Sequence, residues 1–247
     1  APFNGVIFLF TDMTERRQLE RAAHLNRQLA DLGELTAGVV HELRTPVMVV
    51  SGMSELILRQ VEEGTPVHSN ASTILRECRN LDTLIGQFLG FARPFDISAA
   101  KCSPDELARR AVKLCTLKAN HKSVKIVPKI DDNLPVIHAD GGKIVQVLVN
   151  LLNNAIDAVA EGKGIINLFA RSGEGTVEFA VVDNGPGLQL GDEADVFKPF
   201  VTKKEGGTGL GLSIVSRIVH AHQGTVAYST DRRGGACFTV VLPAAKA

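Results

Sequence analysis

Two stretches in the first part of the chain carry apolar residues at alternating spacings of four and three. This spacing averages about 3.5 residues, which is typical of helices that pack in bundles or coiled coils. Residues 62–66 form a polar loop between the stretches, and Pro94 ends the second one. We therefore predict two antiparallel helices. Their seam positions are Leu25, Leu29, Leu32, Thr36, Val39, Leu43, Pro46, Val50, Met53 and Ile57, then Val67, Ala71, Ile74, Cys78, Leu81, Ile85, Phe88 and Ala92.

Two antiparallel helices cannot cover their own apolar seams. Residues 15–94 are therefore predicted to form a helical hairpin that dimerises into a four-helix bundle. Residues 1–14 contain an apolar, strand-like run followed by a polar helix start. Because a lone strand is not stable, we expect residues 1–14 to be the end of an upstream domain.

From about residue 101 the pattern alternates between helix and strand, which predicts an α/β sandwich with a mixed sheet over residues 95–247. Ser103 and Glu106 are spaced as a capping box, with Pro104 at the first helical position. The predicted helices cover about residues 104–120, 142–161 and 212–222. The predicted strands cover about residues 122–130, 164–171, 176–183, 224–230 and 236–242. The overall expectation is an α+β chain.

Composition narrows the class of protein. Of 247 residues, 45% are hydrophobic, and the 27 Lys and Arg balance the 27 Asp and Glu. This balance argues against direct nucleic-acid binding and against a polybasic membrane surface. No apolar stretch approaches the ~18 residues of a membrane span, and the four cysteines show no metal-site spacing. We expect a cytoplasmic chain without a membrane segment, which leaves open a tether elsewhere in a longer protein.

His41 and Glu42 lie in the first predicted helix. His41 falls on its outer face, Thr45 shares that face one turn later, and Glu42 flanks the seam. An exposed imidazole beside a carboxylate suits a nucleophile whose tautomer the carboxylate sets. Pro46 interrupts the helix at a cost of about 3 kcal/mol, which indicates a special local conformation. On this pair alone, an ordinary surface histidine remains the alternative.

Asn150 and Asn154 are four residues apart, on one face of a strongly apolar predicted helix. Amides in such a place need partners, and their oxygens suit Mg²⁺. A polar stripe at the edge of the helix is the alternative.

Asp183 ends an apolar strand and is followed by Gly185 and Gly187. This arrangement lets a carboxylate accept a hydrogen bond from an amino group while the backbone approaches a ligand closely. Taken alone, it is also a common loop.

Residues 206–213 are glycine-rich and lead directly into a helix. Exposed N–H groups and the positive end of the helix make a phosphate cradle, which Lys203 and Lys204 can reach. A flexible linker is the alternative. The glycine spacings of dinucleotide folds and of P-loops are absent.

In this order, the four motifs resemble the H, N, G1 and G2 boxes of bacterial sensor histidine kinases, which act in two-component signal transduction. Residues 197–200 resemble the F box, and residues 234–238 resemble the closing glycine-rich motif. The resemblance covers about residues 15–243. Residues 1–14 are similar to the end of a PAS sensor domain.

The resemblance implies a fold and a reaction. Residues 95–247 would form a Bergerat-type ATP-binding domain, and His41 would take the γ-phosphoryl group of ATP and pass it to the receiver domain of a response regulator. Glu42 would orient or deprotonate the imidazole, and Thr45 would serve a phosphatase activity on that regulator. Asn154 would hold Mg²⁺. The ATP-binding residues would be Asn150, Asn154, Asp183, Gly185, Gly187, Lys203, Lys204, Gly207, Thr208, Gly209, Leu210 and Gly211.

A dimeric clamp ATPase of the same GHKL fold is the alternative class of protein. It shares the Asn, Asp and Gly motifs but forms no phosphohistidine. It therefore has no need of His41 and Glu42 on the outer face of a hairpin.

Overall fold

Two helices joined by a short turn form the hairpin of the first unit. The computed structural model describes residues 42–92, 97–187, 196–202, 208–231 and 234–245. The chain divides into two units, Ala1–Pro94 and Phe95–Ala247, and each is described by itself. In the first unit, α1 covers residues 42–60 of the described range and α2 covers Pro66–Ala92. Residues 1–14 and His41 lie outside the described residues.

Side chains fix both the turn and the antiparallel pairing of α1 and α2. The Thr65 hydroxyl accepts the His68 N–H at 3.2 Å, which caps the start of α2. Arg44 Nε lies 2.7 Å from Asp82 Oδ1, and Arg79 Nη2 lies 3.6 Å from Glu55 Oε1. The predicted hairpin is therefore present in the described residues.

The apolar face of the hairpin is wider than the predicted seam. Ala71 and Cys78 are buried as predicted, but the structure buries Leu75 and leaves the predicted Ile74 exposed. The row at 71, 75 and 78 faces α1, because helices in a globular unit pack with a face broader than a coiled-coil seam. The exposed apolar residues include Leu43, Val50, Met53, Ile57, Val67, Ile74 and Leu81. These residues form an exposed apolar face of the hairpin. No helix in the described ranges is long and apolar enough to cross a membrane.

The second unit is a five-stranded sheet with three helices. In chain order the elements are β1 Ala100–Cys102, α3 Pro104–His121, β2 Lys125–Ile130, β3 Ile137–Ala139, α4 Gly141–Ala158, β4 Ile165–Gly173, β5 Thr176–Asp183, α5 Gly211–Ala221, β6 Thr225–Thr230 and β7 Ala236–Pro243. The sheet order is β2-β4-β5-β7-β6, with β2 parallel to β4 and the other pairs antiparallel. The predicted mixed sheet is confirmed. The strands β1 and β3 form a separate antiparallel pair that was not predicted.

Two predicted boundaries were wrong for a shared reason; the predicted N-cap of α3 is in the right place but lacks the side-chain bond of a capping box. Strand β2 begins at Lys125 rather than 122, because Lys122 is the C-cap of α3 and Ser123 turns the chain at φ 52°. Helix α4 ends at Ala158 rather than near 161, where Lys122 Nζ donates to the carbonyls of Ile156 and Asp157 at 2.8 and 2.9 Å. Ser103 is the N-cap of α3, but its side chain makes no capping hydrogen bond.

Alternation along β5 places one functional side chain at the edge of the core. Val177, Phe179 and Val181 are buried on one side of the strand, and Asp183 follows in the same register. Helix α4 fills the space on that side with fully buried apolar side chains, among them Leu148 and Leu151. The end of β5 therefore places a carboxylate among largely apolar side chains.

Candidate functional site

Asp183 is held in place by two backbone amides. The residue is only 5% exposed. Its Oδ1 accepts the N–H of Gly185 at 2.8 Å and the N–H of Ala236 at 3.2 Å. Burial raises the pKa of this carboxyl, and the two hydrogen bonds partly offset that rise. The structure thus fixes a hydrogen-bond acceptor at the end of β5.

Asn184 ties the turn after Asp183 to the neighbouring strand. Its Nδ2 donates to the carbonyl of Lys163 at 3.0 Å, and its Oδ1 accepts the Ile165 N–H at 2.8 Å. The asparagine therefore joins the end of β5 to the start of β4. No role was predicted for Asn184. Its side chain bonds to a backbone group 21 residues earlier in the chain, and such a bond leaves no local pattern in the sequence.

The turn beside Asp183 is built from backbone packed too closely for side chains. Gly187 has φ +68°, and a Cβ there would lie 2.6 Å from the carbonyl oxygen of Gly234. A Cβ on Gly185 would lie 2.9 Å from Asp183 Oδ1. A Cβ on Gly235 would overlap the carbonyl oxygen of Asp183. These glycines allow the backbone segments around the carboxylate to pack closely against one another.

Gly235→Ala is expected to lower the free energy of unfolding by about 3 kcal/mol, because β7 and the end of β5 must separate to admit the methyl group. Chemical denaturation of the whole chain measures this. Gly234→Ala is the matched control, since a Cβ there meets nothing within 4 Å and only its φ of +91° is unfavourable. It is expected to cost about 1 kcal/mol. Equal losses in the two variants contradict the steric account.

The two asparagines of α4 lie half-buried on one face of the helix, not fully buried. Leu148, Leu151 and Leu152 occupy the other side and are fully buried. A Cβ on Gly211 would lie 4.0 Å from Asn154 Nδ2, so Asn154 is adjacent to the start of α5. The structure thus brings together two motifs that are 57 residues apart.

The start of α5 has the features of an anion site. No acidic residue lies in its first turn, and the N-cap Leu210 makes no side-chain capping bond. Leu210 is only 2% exposed, and its N–H donates to the Thr208 hydroxyl at 3.4 Å. Gly209 has φ +67°, and its carbonyl accepts the Phe200 N–H at 3.1 Å. Lys203, Lys204 and Gly207 lie outside the described residues.

An aromatic cluster anchors residues 196–202 on the sheet. The rings of Phe197 and Phe238 meet edge to face with centroids 6.3 Å apart, and Tyr228 lies 5.2 Å from Phe238. Val196 is also buried. The F-box segment named in the sequence is therefore fastened to β6 and β7 next to the Asp183 turn. Tyr228 had not been singled out from the sequence.

The hairpin presents the remaining predicted residues in the other unit. Glu42 and Thr45 are exposed on α1. Between them, Arg44 is paired with Asp82 across the hairpin. This pair joins α1 to α2 three residues after position 41 in the sequence.

The site in the second unit fits a nucleoside triphosphate with Mg²⁺. Asp183 supplies a fixed acceptor for an amino group, and the half-buried amides of Asn150 and Asn154 supply neutral oxygens. The start of α5 supplies N–H groups and a positive helix end beside Asn154.

Comparison with known proteins identifies two families in the chain. Residues 31–94 match the His Kinase A (phospho-acceptor) domain, and residues 139–246 match the histidine kinase-, DNA gyrase B-, and HSP90-like ATPase family. The signal transduction histidine-protein kinase AtoS of Escherichia coli strain K12 is 34% identical over 241 residues, which are 97% of this chain and 39% of AtoS.

Solved structures agree. Full-length ShkA in complex with AMPPNP matches with a TM-score of 0.75 and 32% identity, over 87% of this chain and 46% of that chain. The catalytic domain of histidine kinase ThkA matches with a TM-score of 0.55 and 30% identity, over 60% of this chain and 96% of that one. ThkA in complex with the response regulator protein TrrA matches with a TM-score of 0.67 and 26% identity, over 95% of this chain and 68% of that chain.

The chain therefore belongs to the sensor histidine kinases, a family of phosphotransferases in two-component signal transduction. Its second unit has the fold of their ATP-binding domain, and its hairpin has the fold of their phospho-acceptor domain. The chain spans about half or less of the length of AtoS and other curated relatives it matches.

Proposed function

We propose that this chain phosphorylates itself on His41 with ATP and passes the phosphoryl group to an aspartate of a response regulator. The observation that carries the proposal is the proximity of Asn154 to the start of α5, where a Cβ on Gly211 would lie 4.0 Å from the amide and the glycine therefore leaves room beside it. It combines a metal-ligand type and an anion-binding helix end in one place. The similarity to ShkA in complex with AMPPNP supports ATP as the nucleotide.

The base and the phosphates are assigned to different parts of the site. Asp183 accepts a hydrogen bond from the adenine amino group. Gly185 and Gly187 have no side chains, so the backbone can lie close to the base. The amide oxygen of Asn154 holds Mg²⁺, which neutralises phosphate charge when bound, and Asn150 faces the same space. The phosphates are bound by Lys203, Lys204, Gly207, Thr208, Gly209, Leu210 and Gly211.

The chemical step needs few protein groups. A lone pair on one imidazole nitrogen of His41 attacks the γ-phosphorus, the bond to the bridging oxygen breaks, and ADP leaves. Glu42 accepts the proton of the other ring nitrogen, which leaves a neutral imidazole ring joined by the new N–P bond to the negatively charged phosphoryl group. Catalysis consists mainly of positioning and charge neutralisation. No side-chain base needs to activate the attacking atom, because its lone pair is already available.

The stability of the labelled bond tests this proposal. Incubation with γ-labelled ATP and Mg²⁺ is expected to give a protein label that is lost in acid and kept in alkali, whereas α-labelled ATP gives none. ATP binding or hydrolysis without such a label contradicts the proposal. That result indicates instead the dimeric clamp ATPase of the same fold.

The hairpin is also assigned the partner interactions. We assign residues 1–14 to the end of a PAS-like domain, 15–94 to dimerisation and phosphotransfer, and 95–247 to ATP binding. The exposed apolar face that includes Val50, Met53 and Ile74 supports a second copy as the partner of the hairpin. ThkA in complex with TrrA supports a response regulator as the second partner. A response regulator as partner supports a cytoplasmic location for this chain.

Thr45 is assigned to removal of the phosphoryl group from the regulator, by positioning a water molecule. Thr45→Ala is expected to slow dephosphorylation of the phosphorylated regulator by about tenfold or more and to change self-phosphorylation less than twofold. Both rates are measured with purified regulator. Thr73→Ala, an exposed threonine on α2, is the control and is expected to change neither rate. Equal effects on both reactions contradict this role.

A further inference from the structure

His222 is a buried histidine whose two ring nitrogens are both engaged. It is only 7% exposed, and it forms the C-cap of α5. Its Nε2 accepts the backbone N–H of Asp140 at 2.9 Å, and its Nδ1–H donates to the carbonyl of Ile218 at 2.8 Å. The first bond leads to another element, whereas the second stays within α5.

Asp140 depends on this bond. As the N-cap of α4, it uses Oδ1 to accept the Lys143 N–H at 3.1 Å and Oδ2 to accept the Ser98 N–H at 3.3 Å. Its own backbone N–H is half-buried and needs an acceptor. His222 supplies that acceptor from the end of α5.

The other end of α5 meets α4 at the site. Gly211 begins α5 beside Asn154, and His222 follows the end of α5 beside Asp140. The two helices therefore lie antiparallel, joined at two places about 20 Å apart along α4. Apolar contacts between the two helices are not directional, whereas the His222–Asp140 hydrogen bond requires one relative position.

We propose that His222 is a positioning residue for Mg·ATP: it ties the end of α5 to the start of α4 and thereby holds the N-terminus of α5 at its place beside Asn154. The inference rests on the proposed function, since it concerns the phosphate part of that site. Asp183 lies on β5 and is held by Gly185 and Ala236, so the base part of the site does not depend on His222. Loss of the bond should therefore weaken ATP more than adenosine.

Two substitutions separate the two bonds of His222. In His222→Asn the amide nitrogen lies near the position of Nδ1, which keeps the bond to Ile218 and loses Asp140. In His222→Gln the amide oxygen lies near the position of Nε2, which keeps the bond to Asp140 and loses Ile218. His220→Asn is the matched control, because His220 is exposed in the last turn of α5 and bonds only within it, to Ser216.

Calorimetric titration of the whole chain with Mg·ATP and with adenosine, at a temperature where every variant is folded, decides the matter. His222→Asn is expected to raise the Kd for Mg·ATP about tenfold, in line with one lost hydrogen bond. Its Kd for adenosine and the values for His222→Gln and His220→Asn should stay within twofold of the parent. The KM for ATP in self-phosphorylation should follow the Kd.

Three results overturn the inference: an unchanged Kd for Mg·ATP in His222→Asn, equal weakening of Mg·ATP and adenosine, or the same behaviour in His222→Asn and His222→Gln. If the parent chain binds no Mg·ATP, the proposed function falls together with the inference. If the parent chain binds Mg·ATP and His222→Asn binds it equally well, only the inference falls.

Discussion

His41→Gln is expected to abolish incorporation of phosphate from γ-labelled ATP, to below about one-thousandth of the parent rate, and to leave the Kd for Mg·ATP within twofold. Glutamine is similar in size but has no nucleophilic ring nitrogen. Asp183, Asn154 and Gly211, to which nucleotide binding is assigned, all belong to the second unit of the chain. The label is counted after alkali treatment, and binding is measured by calorimetry.

His68→Gln is the matched control for this loss. His68 lies at the start of α2 and is the one histidine among the described residues of the hairpin. It is expected to incorporate the parent amount of label. Acid-labile label in His41→Gln, or its loss in His68→Gln, contradicts the assignment of His41 as the phosphorylated residue.

Asp183→Asn is expected to weaken Mg·ATP binding about a hundredfold, or ~2.7 kcal/mol. Asparagine can keep an oxygen at the Oδ1 position to accept the N–H groups of Gly185 and Ala236. It then places an NH₂ group where the carboxylate has its second oxygen. Two donors, this NH₂ and the adenine amino group, then face each other in a site built for one hydrogen bond. Calorimetric titration at neutral pH measures the loss.

The same variant is expected to be at least as stable as the parent chain at neutral pH. Burial raises the pKa of Asp183 above the ordinary 3.8, although the bonds from Gly185 and Ala236 lower it again in part. A raised pKa means that folding favours the protonated carboxyl. Its contribution to stability is present below pH 3.8 and is lost as the pH rises through the folded-state pKa. The advantage of Asp183→Asn should therefore be largest at neutral pH and shrink towards pH 3.8.

Thermal unfolding over this pH range, with Glu178→Gln as control, tests the stability argument. Glu178 lies on the opposite side of β5 and is paired with Arg171 at 3.5 Å. Its replacement should leave ATP binding unchanged and should not reproduce the stability expected of Asp183→Asn at neutral pH. A lower unfolding temperature for Asp183→Asn at neutral pH contradicts the account, as does parent-like ATP binding.

Periodicity was sufficient to predict the main elements, because helices and strands of eight or more residues show their buried side in the order of residues. It predicted β5 over 176–183 correctly. It missed β1 and β3, since three residues are too few to show an alternation. It also chose Ile74 over Leu75 in the hairpin, because a strict seam describes only part of a broader helix face.

The candidate site divides in the same way. Asp183, Asn154 and Gly211 stand out in the sequence because their polarity or flexibility is unusual where they occur. Asn184 and His222 do not, because their importance lies in single bonds to residues 21 and 82 positions away. No local pattern encodes such pairs. The roles of the ATP-binding residues remain predictions that the variants above test.

The aromatic cluster that fastens residues 196–202 to the sheet has an optical consequence. Tyr228 is the one tyrosine of the chain, and tryptophan is absent. Its buried ring touches Phe238, and a Cβ on Gly187 would lie 3.6 Å from its hydroxyl. Nearly all ultraviolet emission of the protein therefore comes from one ring beside the Asp183 turn. The chain carries its own label-free reporter for events at this edge of the site.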